Sequence, residues 1–134
     1  MGSASSIVAL HVGTDPMLLS TRTDVLRRTG LNIVPAASVA EAMKMFLAGD
    51  YDVVIVCQSV PADSRRALAN LVHSHSSSVP VILITIIPEQ DLLVDAIVNG
   101  EAAKLVEEMP QILGRWMPMA ALPGSGASER PKVV

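Results

Sequence analysis

The stretch that most constrains the fold is residues 51–61, with the sequence YDVVIVCQSVP. Its run of β-branched residues, Val53 to Val56, predicts a short strand that is covered on both faces, as in a parallel sheet. Pro61 marks the loop that follows. Because open parallel sheets carry their sites at the carboxyl ends of the strands, Cys57 at the end of this strand marks the predicted functional edge.

Apolar runs and amphipathic spacing predict an alternation of strands and helices around this central strand. Further strands are predicted at 7–12, 32–36, 81–86 and 94–98. Helices are predicted at about 17–28, 39–47, 63–72 and 100–116. Within the last of these, Pro110 is expected to kink or restart the helix. Residues 73–78 are expected to form a polar loop.

Short links and right-handed crossovers between such elements predict an α/β domain with a doubly wound parallel sheet. The topology that fits is flavodoxin-like, with five strands in the order 2-1-3-4-5. Only about seven residues separate the fourth and fifth predicted strands, so the helix between them is expected to be reduced or absent. The folded domain is predicted at 7–116, between a flexible N-terminus at 1–6 and a flexible tail or linker at 117–134.

Four segments resemble the motifs of response-regulator receiver domains, the CheY-like modules of two-component signal transduction. They are VGTDP at 12–16, DVVIVCQSVP at 52–61, VPVILIT at 79–85 and DAIVNG at 95–100. The resemblance covers nearly the whole predicted domain, from Ile7 to about Trp116. It implies a phosphorelay role in which an aspartate at the end of the third strand accepts a phosphoryl group.

The same comparison predicts that the phosphorylation site is degenerate. The acidic pair of the family falls on Gly13 and Thr14, the phosphoacceptor on Cys57 and the essential lysine on Asn99. Only Thr85 keeps the residue type that the family has there. Phosphoryl transfer needs a carboxylate nucleophile and acidic ligands for Mg²⁺, so the resemblance implies a pseudo-receiver that works without phosphorylation. Neither enzymatic activity nor a cofactor, nor bound Mg²⁺, is expected.

Two other functions stay open on the sequence alone. Cys57 is a candidate for a thiol-based redox or ligand sensor, although a buried hydrophobe at a strand end is the plainer interpretation. A conventional receiver phosphorylated at a non-standard residue is the third hypothesis, with Asp15 as a partial metal ligand. His73 and His75 are interpreted as part of a solvated connection, and His11 as a core histidine. The arginines of the first and third helices are interpreted as ordinary polar faces: Arg22, Arg27, Arg28, Arg65 and Arg66.

The composition of the chain limits the classes of partner that it is expected to bind. The net charge is −3 with acidic and basic residues interspersed, so neither a nucleic acid nor a membrane surface is an expected partner. The chain has one Phe, one Trp and one Tyr, too few for a base-stacking platform. Its single cysteine is compatible with a reducing cytoplasm. The expected partner is another protein or a second copy of the chain.

Overall fold

A computed structural model describes residues 7–87 and 93–116 of the chain. The strands are β1 (Val8–Val12), β2 (Asn32–Ala36), β3 (Val53–Cys57), β4 (Val81–Thr85) and β5 (Ala96–Asn99). The helices are α1 (Pro16–Arg27), α2 (Val39–Ala48), α3 (Ala62–His75) and α4 (Ala102–Leu113). The predictions for 1–6 and 117–134 lie outside the described residues.

The five strands form one parallel sheet in the order β2-β1-β3-β4-β5. This confirms the predicted doubly wound, flavodoxin-like topology. Every residue of β3 and β4 is buried, as their β-branched runs predict for central strands. In parallel strands all carboxyl ends meet at one edge, so the residues after β1, β3, β4 and β5 lie together.

Alternate residues of the strands pack against helices on the two faces of the sheet. On one face the core includes Leu26 of α1 and Met109 of α4, packed against strand residues such as Ile55. On the other face it includes Phe46 of α2 and Leu68 of α3. The sheet is therefore covered on both sides.

The first two helices begin at side-chain caps. The Asp15 carboxylate accepts hydrogen bonds from the amides of Met17 and Leu18, and Pro16 takes the first helical position. Ser38 accepts from the Glu41 amide in the same way. After α1, Gly30 has a φ of 92°, the left-handed conformation in which a glycine commonly ends a helix.

Three boundary predictions were wrong. Helix α3 begins at Ala62 without a side-chain cap and continues to His75, so residues 73–75 form its last turn and not a loop. Strand β5 begins at Ala96, two residues later than predicted. The predicted restart of the last helix at Pro110 does not occur, since Ala102–Leu113 form one helix that includes this proline.

The connection from β4 to β5 spans residues 86–95. Residues 86, 87 and 93–95 are not helical, which agrees with the prediction of a reduced or absent helix there. The rest of the connection, 88–92, lies outside the described residues. No helix in the described part of the chain is long and apolar enough to cross a membrane.

Candidate functional site

The structure brings all the predicted site positions to the carboxyl edge of the sheet. They are Gly13 and Thr14 after β1, Cys57 at the end of β3, Thr85 at the end of β4 and Asn99 at the end of β5. Thr85 and Asn99 are aligned partners in the β4–β5 ladder. The carboxyl edge of the sheet, which the sequence predicts to be functional, therefore contains all of these positions, as expected for parallel strands.

The loop after β1 is tightly held. A Cβ atom added to Gly13 would lie 3.2 Å from Leu19 Cδ1 and 3.3 Å from Cys57 Cβ, so a larger side chain has little room there. The Thr14 hydroxyl donates to the Ser59 carbonyl (2.7 Å), and the Thr14 amide donates to Ser59 Oγ (3.0 Å). These bonds join the loop after β1 to the loop after β3.

Thr85 and Asn99 use their side chains in local turns. Thr85 Oγ1 accepts from the Ile87 amide (3.0 Å) and donates to the Ile87 carbonyl (3.1 Å). Asn99 Oδ1 accepts from the Glu101 amide (2.8 Å), next to the start of α4. Both contacts are of the kind by which hydroxyl and amide side chains fix turns.

The thiol of Cys57 lies beside a buried guanidinium group. Arg22, from α1, places Nη1 at 3.2 Å from Cys57 Sγ, while its Nη2 donates to Gln58 Oε1 at 3.0 Å. Nη1 also lies 3.4 Å from the Ile84 carbonyl. Gln58 Oε1 accepts a further bond from the Ile86 amide (2.9 Å), so one arginine links α1 to the ends of β3 and β4.

Arg22 is only 3% exposed, so its interpretation as part of a polar face was wrong. Arg65 is buried as well, at 4% exposed, and donates to the Val60 carbonyl. Within the described residues no carboxylate pairs with Arg22, and its recorded acceptors are a thiol, an amide and a carbonyl. Buried arginines are usually paired with an acid, so this site is unusual in its electrostatics.

The sequence carried a signal for this burial. Arg22 follows Leu19 by three residues and precedes Val25 and Leu26 by three and four, which is the spacing of one helix face. Both Leu19 and Val25 are buried. The position of Arg22 within the apolar stripe of α1 therefore indicated a buried cation.

His11 is another buried polar residue, and it lies close to Arg22. It is fully buried, and its Nδ1 forms a hydrogen bond of 2.8 Å with Thr23 Oγ1. Its Nε2 has no partner among the described residues. Burial, with a smaller contribution from the charge of Arg22, lowers the pKa of His11 from 6.5 to about 4. His11 is therefore a core histidine that is neutral at pH 7.

This lowered pKa predicts a loss of stability in acid. The unfolded chain takes up the proton near pH 6.5 and the folded chain only near pH 4, so the stabilisation is complete above pH 6.5 and is lost as the pH falls towards 4. Between pH 7.5 and pH 5, we expect His11 to account for about 2 kcal/mol of the decrease in the free energy of unfolding. Urea denaturation at both pH values measures it.

The variant His11→Leu removes the titrating group, so its stability should fall about 2 kcal/mol less than that of the wild type over this interval. Thr23→Val is the matched control, because it removes the hydrogen-bond partner but leaves the imidazole in place. It should be less stable at both pH values and keep the pH dependence. An unchanged pH dependence in His11→Leu would contradict the assignment.

The other side chains that could bind a metal ion do not form one group. His73 Nε2 lies 2.8 Å from Asp95 Oδ2, and His75 packs edge-on against Phe46. The carboxylate of Asp15 caps α1. In the part of the chain that the structure describes, no three His, Cys, Asp or Glu side chains are grouped so as to hold a metal ion.

Comparison with solved structures identifies the fold. The response regulator TrrA from Thermotoga maritima, in a complex with Mg²⁺ and BeF, superposes with a TM-score of 0.70 at 23% identity, covering 83% of this chain and 99% of its own. The chemotaxis protein CheY4 from Vibrio cholerae gives 0.64 at 15% identity, covering 83% and 98%. The signal receiver domain of an HD domain-containing protein from Pseudomonas fluorescens gives 0.68 at 18%, covering 82% and 96%.

These likenesses establish that the chain has the CheY-like, flavodoxin-like fold of response-regulator receiver domains. No protein-family model matches the sequence, and no curated protein matches it.

Proposed function

We propose that the chain is a pseudo-receiver: a module of two-component-type signal transduction that acts by protein–protein interaction and independently of phosphorylation. Its fold supports the signalling role, since receiver domains share it. The observation that carries the proposal is the pairing of Cys57 with Arg22 at the end of β3, where receivers carry the phosphoacceptor. In this proposal the module is cytoplasmic, has no enzymatic activity and needs no cofactor.

The chemistry of the edge supports independence from phosphorylation. A receiver needs a carboxylate to attack phosphorus and acidic oxygens to bind Mg²⁺. Here the corresponding positions hold a thiol at Cys57, a hydrogen at Gly13 and a hydroxyl at Thr14, and that hydroxyl is already bonded to Ser59. A positive charge is present at this edge because Arg22, on α1, places its guanidinium group against the ends of β3 and β4.

The interaction surface that we propose is the β5 side of the domain. Strand β5 lies at the edge of the sheet and has no neighbouring strand on its outer side within the described residues, although its Asn99 amide donates to Glu108 Oε1 (3.2 Å). Of the six exposed large hydrophobic residues in the part of the chain that the structure describes, four lie just after β4, on β5 or on α4: Ile86, Ile87, Ile97 and Val106. An edge strand flanked by apolar side chains fits an isologous contact, in which β5 of one copy meets β5 of a second.

Sedimentation velocity with and without acetyl phosphate and Mg²⁺ tests this proposal. We expect a dimer whose dissociation constant is the same in both conditions. Ile97, at 39% exposed, is the residue to change: Ile97→Glu should weaken the dimer at least about tenfold, because it places a charge in an apolar contact. Leu47→Glu is the control variant. Leu47 lies on the side of the domain opposite to β5, so this variant should still form the dimer. Dimerisation that requires acetyl phosphate would contradict the proposal.

A thiol sensor that uses Cys57 is the second candidate. The observation that favours it is the contact of Cys57 Sγ with the Arg22 guanidinium at 3.2 Å. The complete burial of Cys57 argues against it, because sensor cysteines are accessible to their reactants. Alkylation of the native protein by iodoacetamide distinguishes the two. Labelling as fast as that of a free thiol would favour the sensor, and labelling only on unfolding would remove it.

A further inference from the structure

The few aromatic residues of the chain gather at the edge of the sheet opposite the candidate site. The single Phe, Tyr and Trp of the sequence are Phe46, Tyr51 and Trp116, and all three line one cavity of about 540 Å³. This volume falls within the range of small-molecule sites. Phe46 is buried, at 4% exposed, but Tyr51 and Trp116 remain partly open to solvent, so core packing accounts for only one of the three.

The rings are held in a fixed arrangement. Phe46 and Tyr51 are stacked with their centroids 6.4 Å apart and an angle of 21° between their planes. His75 meets Phe46 edge-on at 5.7 Å. Because Phe46 is anchored in the core, it fixes the orientation of the Tyr51 ring. A ring held in this way presents its negative face to a ligand without further ordering cost.

The charges around the cavity are negative. Asp50 and Asp52 line it, and no Lys or Arg is among the described residues that do so. Asp52 Oδ2 accepts a hydrogen bond from the Val8 amide at 2.8 Å. Asp50 is exposed and has no hydrogen bond or ion pair within residues 7–87 and 93–116. Its carboxylate is therefore available to a cation.

The helix ends add to this negative field. Helix α2 ends at Ala48 and α3 at His75, and the residues that follow them, Gly49 and Ser76, both line the cavity. Helix α4 ends at Leu113, three residues before Trp116. A helix C-terminus carries a partial negative charge and stabilises nearby cations. The ends of α2 and α3 therefore favour the same sign of ligand as the two carboxylates.

We propose that this cavity binds an organic cation, an alkylammonium or guanidinium group, which contacts the faces of Tyr51 and Trp116 and forms an ion pair with Asp50. Aromatic faces combined with carboxylates are the combination that recognises such groups. The group comes either from a free small molecule or from an arginine side chain of a peptide. The cavity lies at the amino ends of β3 and β4, so this proposal is independent of the function proposed for the opposite edge.

The emission of Trp116, the single tryptophan of the chain, reports occupancy directly. The full chain is titrated at pH 8 and constant ionic strength with choline chloride and, separately, with N-acetylarginine amide. We expect a saturable change with at least one of them. A response to choline alone assigns a free ammonium ligand, and a response to the arginine derivative alone assigns a peptide side chain. No saturable change with either probe would overturn the proposal.

Control ligands and variants separate the contribution of the ligand's charge from that of the Tyr51 ring. The uncharged analogue 3,3-dimethyl-1-butanol has the shape of choline and should bind at least about tenfold more weakly. Asp50→Asn should weaken binding about fivefold, whereas Asp24→Asn, an exposed acid on α1, should leave it unchanged. Tyr51→Leu should weaken it as well. Equal binding of choline and its uncharged analogue, or equal effects of the two Asp→Asn variants, would overturn the proposal.

Discussion

Gly100→Ala is expected to lower the free energy of unfolding by about 3 kcal/mol. A Cβ atom at Gly100 would lie 2.7 Å from Arg22 Cζ, closer still to Arg22 Nη2, and 3.0 Å from Ile84 Cγ2. Since no real side chain tolerates such a contact, the guanidinium must move and give up its bonds to Cys57 and Gln58. Urea denaturation at pH 7.5 measures the loss.

Gly13→Ala is the matched control for this prediction. Its added Cβ would lie 3.2 Å from Leu19 Cδ1 and 3.3 Å from Cys57 Cβ and Leu19 Cβ, contacts that shifts of a few tenths of an ångström relieve. We expect a loss of less than about 1 kcal/mol, partly offset by the lower entropy of the unfolded chain. If the two variants were equally stable, Gly100 would not be packed against Arg22.

Arg22→Ala is expected to lower the free energy of unfolding by about 3 kcal/mol, while Arg22→Met should cost less than about 1 kcal/mol. Alanine leaves a cavity in place of a long side chain that is only 3% exposed. Methionine fills most of that space and also removes a buried charge that has no acid partner among the described residues. Denaturation of both variants, alongside the wild type, measures the difference.

Two further readouts separate the charge of Arg22 from its volume. In Arg22→Met the pKa of His11 should rise from about 4, because the repulsion from Arg22 is gone while burial remains. In the Arg22→Ala background, Gly100→Ala should cost clearly less, since the contact with Arg22 is missing and only the one with Ile84 Cγ2 at 3.0 Å remains. An undiminished cost of Gly100→Ala in that background would place the strain elsewhere.

The fold was predictable because each level of the sequence agrees with the next. The apolar runs of β3 and β4, the caps at Asp15 and Ser38 and the stop at Gly30 all indicate one alternation of strands and helices. The wrong predictions concern segments in which two local sequence signals favour different structures about equally. His73 to His75 look like a loop by composition, yet they continue α3 as far as the point where the chain must turn into β4.

The chemistry of the site was only partly predictable. The positions of Cys57 and Asn99 follow from topology, because the carboxyl ends of parallel strands share one edge. The contact of Arg22 with Cys57 spans 35 residues and depends on how α1 packs over the sheet, which no local pattern specifies. The convergence of Phe46, Tyr51 and Trp116 on one cavity is non-local in the same way.

The measurement that tests the central claim most directly is the intact mass of the full chain after incubation with acetyl phosphate and Mg²⁺. An untreated sample and a receiver domain that retains its aspartate serve as controls, and circular dichroism of the same sample establishes that the chain is folded. The account predicts no gain in mass, because Cys57, which we propose stands in place of the phosphoacceptor, is buried against Arg22. A gain of one phosphoryl group, mapped by peptide analysis to a single residue, would contradict it and identify a conventional receiver with an unconventional acceptor.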